Sequence, residues 1–296
     1  MKRNAGSMPN RARAIVLATA SDQPEITTSD RLYAEALERR GLPVVGAPWD
    51  GPRAAFDGAA AVVIRSTWGY YRASDAFRDW TEEMAVASRL FNPIGLVRWN
   101  LRKDYIGKLA AASVRVPQTH FVACEVDAID KVFGETGWRR AVVKPLTGAS
   151  GYSVELVARE EVARAVSRLA AEARAGGVLV QEFLPEIADG ELSLIYFDGI
   201  FSHAVRKRPP QGEFRVNSRF GATRSPEMPP REVTEQGAAA LRTLPEVPLY
   251  ARVDGVVRDG QLIVIEVEVL EPALFLEFEP SSADRFAEAT LRRMVA

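Results

Sequence analysis

Residues 14–19 (AIVLAT), 43–48 (PVVGAP) and 59–64 (AAAVVI) are short apolar runs of strand length. Between the first two lies a helical stripe, with Leu32, Tyr33, Ala36 and Leu37 on one face of 30–40 and Gly41 as a stop signal. Strand, amphipathic helix, strand leaves few solutions: the strands lie parallel in one sheet and helices cover its faces. The first ~90 residues therefore read as one β/α unit. Its third strand ends in RSTWGYY (65–71), and a helix over 77–88 follows.

The rest of the chain changes rhythm. After LFNPIGLVRWN (90–100) a helix over 101–112 ends at the Val116-Pro117 break. A second pattern starts at His120: a strand, a helix near 126–133, the strand with Lys144, a strand over 152–158, a helix over 160–175 and an apolar strand over 178–184. GELSLIYFDG (190–199) and IFSHAVRKRP (200–209) form an antiparallel hairpin turning at Asp198-Gly199. Residues 209–230 are polar, contain glycine and lack a period, as a mobile loop does. A helix over 233–244 and strands over 249–257 and 261–270 precede a last helix over 282–296, which buries Phe286, Thr290, Leu291 and Met294.

At 296 residues, two or three compact units are expected. A net charge of -1 gives no basic footprint for nucleic acid. No apolar run nears the ~20 residues that span a bilayer, so no membrane partner is expected. Cys124 is the single cysteine, which excludes an intrachain disulfide, and His120 and His203 alone make a His/Cys zinc site a poor fit. The first residues carry charge without an apolar stretch, so they read as a loose tail and not a secretion signal, with Met8 as an alternative start. These features fit a cytoplasmic protein acting on small molecules, as monomer or homodimer.

Residues 141–154 (AVVKPLTGASGYSV) begin as a buried strand yet place Lys144 directly after two valines. Burying an ammonium is costly unless something negative meets it. Gly148 and Gly151 bracket Ala149 and Ser150, so backbone N–H groups can point at anionic oxygens beside that charge. Strand, inward lysine and flexible loop fit a polyphosphate; a snorkelling lysine before a plain hairpin fits the same letters. No GxxxxGK followed by Ser or Thr occurs, and no GxGxxG follows a strand, so neither a P-loop nor a dinucleotide fold is supported.

Acids gather near the C-terminus, at Asp254 and in VIEVEVLEP (264–272), which supplies Glu266, Glu268 and Glu271. Two strands joined at Asp259-Gly260 put Glu266 and Glu268 on one face and bring Asp254 alongside, because side chains alternate with period two. Like charges on one apolar strand face repel, and a divalent cation such as Mg²⁺ removes that penalty; an outward acidic face is the alternative. QEFLPEIADGELS (181–193) leaves a strand through a loop and offers backbone groups to a flat base, with Glu191 for a ribose, or is a plain strand exit. Residues 207–224 hold Lys207, Arg208, Arg215, Arg219 and Arg224 on a glycine-containing loop, which either closes over phosphate and carboxylate or is a solvated surface.

Lys103 at a helix start, VVKPLTGASG, QEFLPEIADGE, GEFRVN (212–217) and the Asp254/Glu266/Glu268 set occur in one order over residues 95–280. In that order the chain resembles the ATP-grasp enzymes of the glutathione synthetase type. The resemblance implies an α/β (α+β) ATP-grasp fold of three domains: a Rossmann-like parallel domain over 1–98, a central lid over 99–180 and a C-terminal domain over 181–296, with the nucleotide between the last two. It implies that Lys103 and Lys144 contact the ATP phosphates under the loop 147–152, lined by Gly148, Ser150 and Gly151. Glu182, Phe183 and Leu184 would line the adenine with backbone groups, and Glu191 would hold the ribose. Lys207, Arg215 and Asn217 would face the γ-phosphate and acceptor, and Asp254, Glu266 and Glu268 would bind Mg²⁺, with Mn²⁺ as the alternative. Two positions depart from the family pattern: Glu268 stands for its usual Asn, and its GD-x-R arrangement appears as GELS, with Ser193 at the arginine's place. That missing arginine argues against glutathione synthesis itself.

The N-terminal half resembles a narrower group. RSTWGYY, the helix with Phe77 and Trp80, Asn92-Pro93 and WNLRKDYIGKL (99–109) are similar to the D-cycloserine synthetase group, with Gly69 where many relatives have Asp. This implies ATP-driven ring closure of O-ureido-D-serine, with loss of carbon dioxide and ammonia, in antibiotic biosynthesis. An intermolecular carboxylate–amine ligase is the alternative. Arg65, Ser66 and Tyr70, at a strand's C-terminal end, are the expected acceptor contacts, with ordinary loop packing as the other reading. Such chemistry is positioning and charge compensation, so no Ser/His/Asp or Cys/His set is needed, and Cys124 reads as a structural thiol. A small-molecule kinase and a non-catalytic nucleotide-binding module are the rival classes.

Overall fold

The computed structural model describes residues 14–148, 151–171, 173 and 177–295. Ser150 of the expected phosphate loop and the N-terminal tail with Met8 lie outside the described residues. The chain divides into two units, one of residues up to Val97 together with those from Leu270 onward, the other Arg98–Val269.

In the first unit, β1 (Ile15–Thr19), β2 (Val44–Pro48), β3 (Ala61–Ile64) and β4 (Leu90–Phe91) form a parallel sheet in the order β2-β1-β3-β4. Every residue of β1 and β3 is buried, as in a sheet covered on both faces. Helix α1 (Thr28–Glu38) starts at Thr27, whose hydroxyl accepts the Asp30 N–H at 3.0 Å. Helix α2 (Ser74–Ala87) buries Phe77 and Trp80 beside Trp49 and Phe56.

The C-terminal helix α8 (Ser282–Val295) belongs to this unit and does not complete a domain running over 181–296. Its stripe needs an apolar partner, and α1 supplies it: Phe286 stacks on Tyr33 at 3.8 Å, and the Tyr33 and Thr290 hydroxyls bond at 2.8 Å. Leu291 and Met294, expected in the core, are half-buried.

The second unit holds two antiparallel sheets. Strands β5 (Thr119–Val122), β6 (Arg140–Pro145), β7 (Glu155–Ala158) and β8 (Val178–Glu182) run in the order β5-β8-β6-β7. A boundary at 180/181 would cut β8, which pairs with β6 through Glu182. Helices α5 (Val126–Thr136) and α6 (Val162–Leu169) cover this sheet through Ile129, Phe133, Val162 and Leu169. Strands β9 (Glu191–Phe197), β10 (Ile200–Arg208), β11 (Thr223–Glu227), β12 (Tyr250–Arg258) and β13 (Gln261–Glu268) form the other sheet, ordered β11-β10-β9-β12-β13, under helix α7 (Arg231–Leu241). The hairpins turn at Asp198-Gly199 and Asp259-Gly260, all four residues at positive φ.

Two segments depart from the sequence expectation. The helix expected over 101–112 is α4 (Tyr105–Ala111), preceded by a separate α3 (Ile94–Asn100). The break has a cause: the Asn100 amide donates to the Val267 carbonyl at 2.7 Å and accepts the Val269 N–H at 2.9 Å, while the Lys103 N–H turns to the Leu146 carbonyl at 2.8 Å. The expected loop over 209–230 includes β11, tied to β10 by the Arg206–Glu227 pair at 3.0 Å.

Candidate active site

The acidic face follows from register. In the β12/β13 hairpin Asp254 lies opposite Glu266 and Arg252 opposite Glu268, and a bulge follows at Gly255. A ligand oxygen from each of Asp254, Glu266 and Glu268 lies within 4.8 Å of the others. On the other side of β12, Asp254 faces Ser193 of β9, and Glu191 lies opposite Lys207 of β10. One sheet face thus carries Lys207, Glu191, Ser193, Asp254, Arg252, Glu266 and Glu268.

Basic groups interleave with the acids. Arg252, buried, donates Nε to both Asp254 oxygens at 3.0 Å and Nη2 to Glu268 at 2.5 Å. Ser193 donates its hydroxyl to Asp254 at 2.5 Å. Lys207 pairs with Glu191 at 2.6 Å and with Asp254 at 3.4 Å. Lys103, delivered by the Asn100 and Leu146 bonds, pairs with Glu266. Burial would raise Asp254, but Arg252 and Lys207 outweigh it and hold the carboxyl at about 2. Burial pushes Glu268 up, with Glu266 and Asp254 adding to the rise against Arg252.

Lys144 differs. Its side chain is 6% exposed at the end of β6, and among the described residues its ammonium makes no ion pair within 4.0 Å. Burial lowers it from 10.5 to about 8, opposed by the attraction of Glu266 and Glu191 and aided by Lys103. Lys144 in turn helps to hold Glu266 down against burial. The lysine of one sheet and the acids of the other therefore share one electrostatic site.

The two loops expected over the phosphates meet. A Cβ on Gly151, at φ +65, would sit 2.4 Å from the Asn217 Oδ1, so only glycine permits this approach. The Arg219 guanidinium lies 5.6 Å from the centre of the Tyr152 ring. Arg215 packs on Phe220 at 3.7 Å and pairs with Glu213 at 2.7 Å. At the base strip, the Glu182 N–H goes to the Gln118 carbonyl at 2.9 Å, Phe183 packs under Arg140 at 4.4 Å, and Leu184 joins Val256 and Ile263 in an apolar cluster. The Glu191 carboxylate, read as a ribose contact, is engaged by Lys207.

The residues read as acceptor contacts are packed inside the first unit. Arg65, 2% exposed, donates Nε to Asp30 and Nη2 to the Pro272 carbonyl, each at 2.8 Å. Ser66 and Tyr70 are buried, the tyrosine ring against Phe77 at 4.8 Å. Cys124 is half-buried against the α5/α6 core, and burial, then Glu125, raises its thiol, which suits a structural role. The sequence reading missed Arg252 and Glu213. The signal for the first was its place two residues before Asp254, hence on the same strand face.

Comparison with known proteins places this geometry. Residues 107–277 match the family model for the prokaryotic glutathione synthetase ATP-grasp domain, and residues 15–92 match the model for the N-terminal domain of D-cycloserine synthetase DcsG. The chain belongs to the ATP-grasp family, as an ATP-dependent ligase of the kind that forms C–N bonds. Among its relatives, the cycloserine biosynthesis protein DcsG of Streptomyces lavendulae is 33% identical, over 88% of this chain and 92% of that protein. A glutathione synthetase of Parasynechococcus marenigrum (strain WH8102) is 30% identical over 74% of this chain and 70% of its own length. The crystal structure of D-cycloserine synthetase DcsG superposes with a TM-score of 0.86 at 29% identity, covering 95% of this chain and 99% of that one. D-alanine–D-alanine ligase from Bacillus anthracis shares the fold at a TM-score of 0.65 and 14% identity, over 95% of this chain and 97% of that one. No helix among the described residues is long and apolar enough to cross a membrane.

Proposed function

We propose that this ligase phosphorylates a small amino-acid-like substrate with ATP and then forms a C–N bond within the same molecule, O-ureido-D-serine being the substrate that its resemblance to DcsG points to. The observation that carries the nucleotide site is Lys144, an ammonium buried in the field of Glu266 and Glu191 but without an ion pair of its own among the described residues. A buried charge in that setting needs a polyanion.

In this reading Lys103 and Lys144 take the phosphates, and Lys103 leaves Glu266 as they arrive. Arg215 and Asn217 meet the γ-phosphoryl group from the loop that closes against Gly151, and Leu184 with its apolar neighbours floors the base. Lys207 pairs with Glu191 and Asp254 and holds both in place. Asp254, Glu266 and Glu268 fit a divalent cation, being hard oxygen donors grouped on one face, and would hold Mg²⁺ or, alternatively, Mn²⁺. When bound, such an ion screens phosphate charge.

The second reading, an intermolecular carboxylate–amine ligase, is favoured by the match of 107–277 to the glutathione synthetase ATP-grasp domain. A coupled ADP-release screen over small amino acids, D-serine derivatives and O-ureido-D-serine separates the two. ADP release with O-ureido-D-serine alone supports the cyclase. Release that requires a separate amine supports the ligase, and ADP release with a stable phosphorylated product supports a kinase.

A further inference from the structure

The loop between β10 and β11 holds an acid without a role in the proposed site. Glu213 accepts four hydrogen bonds from its two successors: the Phe214 N–H at 2.8 Å, the Arg215 N–H at 3.0 Å, and Arg215 Nε and Nη2 at 3.0 and 2.7 Å. The carboxylate therefore grips one edge of the guanidinium bidentately and fixes the backbone that carries it. The Arg215 side chain first, with the two backbone N–H groups adding to it, outweighs burial and holds this carboxyl at about 2. Phe220 covers the guanidinium at 3.7 Å. Of the five guanidinium donors, Glu213 takes those of Nε and one of Nη2, and Nη1 has no partner among the described residues.

Charge alone does not explain this arrangement. A carboxylate beside Arg215 weakens the field that the arginine presents to a phosphate, so on affinity grounds Glu213 is a poor neighbour. What it supplies is geometry. An arginine on a glycine-containing loop otherwise samples many rotamers, and a fixed edge avoids the entropy cost of ordering it when the phosphoryl group is transferred.

We propose that Glu213 is a positioning residue: it clamps the Nε/Nη2 edge of Arg215 so that Nη1 is already presented to the phosphoryl group to be transferred. This rests on the reading of Arg215 as a γ-phosphate contact. Glu213 touches no reacting atom and acts through Arg215.

Two probes test it on the full chain, and thermal melts check that each variant is folded. The first is the Arg215 Nε–H resonance of ¹⁵N-labelled protein, assigned by its loss in Arg215→Lys. Nucleotide-free protein should show a protected Nε–H whose solvent exchange quickens at least ~10-fold in Glu213→Gln, because an amide offers one accepting oxygen where the carboxylate offers the two that hold Nε and Nη2 as a pair. In the parent, Mg·AMPPNP should shift the signal and Mg·ADP should not. The second probe is ADP release: Glu213→Gln should lower kcat by about 10- to 100-fold with the KM for ATP within about threefold, the split expected of misaligned but still bound phosphate. Unchanged Nε–H exchange in Glu213→Gln, or a kcat within twofold of the parent, overturns the positioning role alone. An identical response to Mg·AMPPNP and Mg·ADP overturns the γ-phosphate reading of Arg215 and the inference with it.

Discussion

Replacing Lys144 with methionine keeps the aliphatic stem and removes the charge, and two opposed effects follow. Burial takes the ammonium from 10.5 to about 8, the attraction of Glu266 and Glu191 recovering only part of the loss and Lys103 adding to it. Below pH 8 the folded and unfolded chains are both protonated at this site, and above 10.5 both are neutral. Between those values the unfolded chain binds more protons, so this group makes stability rise with pH across that window. At pH 7 the folded chain thus bears the full cost of the buried charge, about 3 kcal/mol for a fall of this size. Lys144→Met should therefore be more stable than the parent at pH 7 by about 3 kcal/mol without nucleotide, the difference closing towards pH 10.5. The same change deletes a phosphate contact. At a nucleotide concentration 100 times its Kd the parent gains about 2.7 kcal/mol, and the variant should gain far less. Urea denaturation at pH 7 and pH 10, with and without Mg·ADP, reads both effects. A variant no more stable than the parent at pH 7, or one with the parent's full nucleotide-induced gain, would refute the assignment of Lys144 as a buried charge awaiting a polyanion.

Gly151→Ala puts a Cβ 2.4 Å from Asn217 at a φ of +65, so nucleotide affinity by calorimetry should fall about tenfold while the thermal midpoint moves less than about 4 °C. Arg252→Ala leaves Asp254 and Glu268 without their shared partner, and urea denaturation should show a loss of about 3–5 kcal/mol. Lys103→Met frees Glu266 from its ion pair, so Mn²⁺ binding to the nucleotide-free protein, followed by electron paramagnetic resonance, should tighten about tenfold while ATP binding weakens.

Lys144 and the three carboxylates were legible because each violates its surroundings: a charge after two valines, and acids repeating at period two in an apolar strand. Arg252 carries the same period-two signal, but an arginine near acids also reads as solvated surface. Only the register that sets Glu268 opposite it makes a buried cluster. The helical character of α8 was plain, yet a stripe does not name the surface that covers it, and Tyr33 lies more than 250 residues away. Arg65 at a strand end looked like a ligand contact. Its partners, Asp30 and the Pro272 carbonyl, come from 35 and 207 residues away, and pattern reading cannot reach them. Strand β11 (TRSPE) is half-exposed, charged and contains Pro226, the traits that protect a sheet edge and also make it read as loop.

The two positions read as departures from the family pattern, Ser193 and Glu268, are joined in one cluster through Asp254 and Arg252. Losing an arginine at 193 and gaining an acid at 268 would together shift the face by two negative charges, a heavy penalty in a buried cluster. Ser193 leaves space beside Asp254 and donates to it, and the Arg252 guanidinium binds both Asp254 and Glu268 from the neighbouring position on the strand. The guanidinium that balances Asp254 and Glu268 on this face therefore comes from β12. The acids Glu191, Asp254, Glu266 and Glu268 are met by Lys103, Lys207 and Arg252, while Lys144 lies in their field without an ion pair among the described residues. In the proposed reading, a polyanion and a divalent cation would be received together by exchanging partners at Lys103–Glu266. With Ser193 where the resemblance implies an arginine, a substrate grip different from that of a glutathione synthetase is the expectation, while the nucleotide chemistry need not differ.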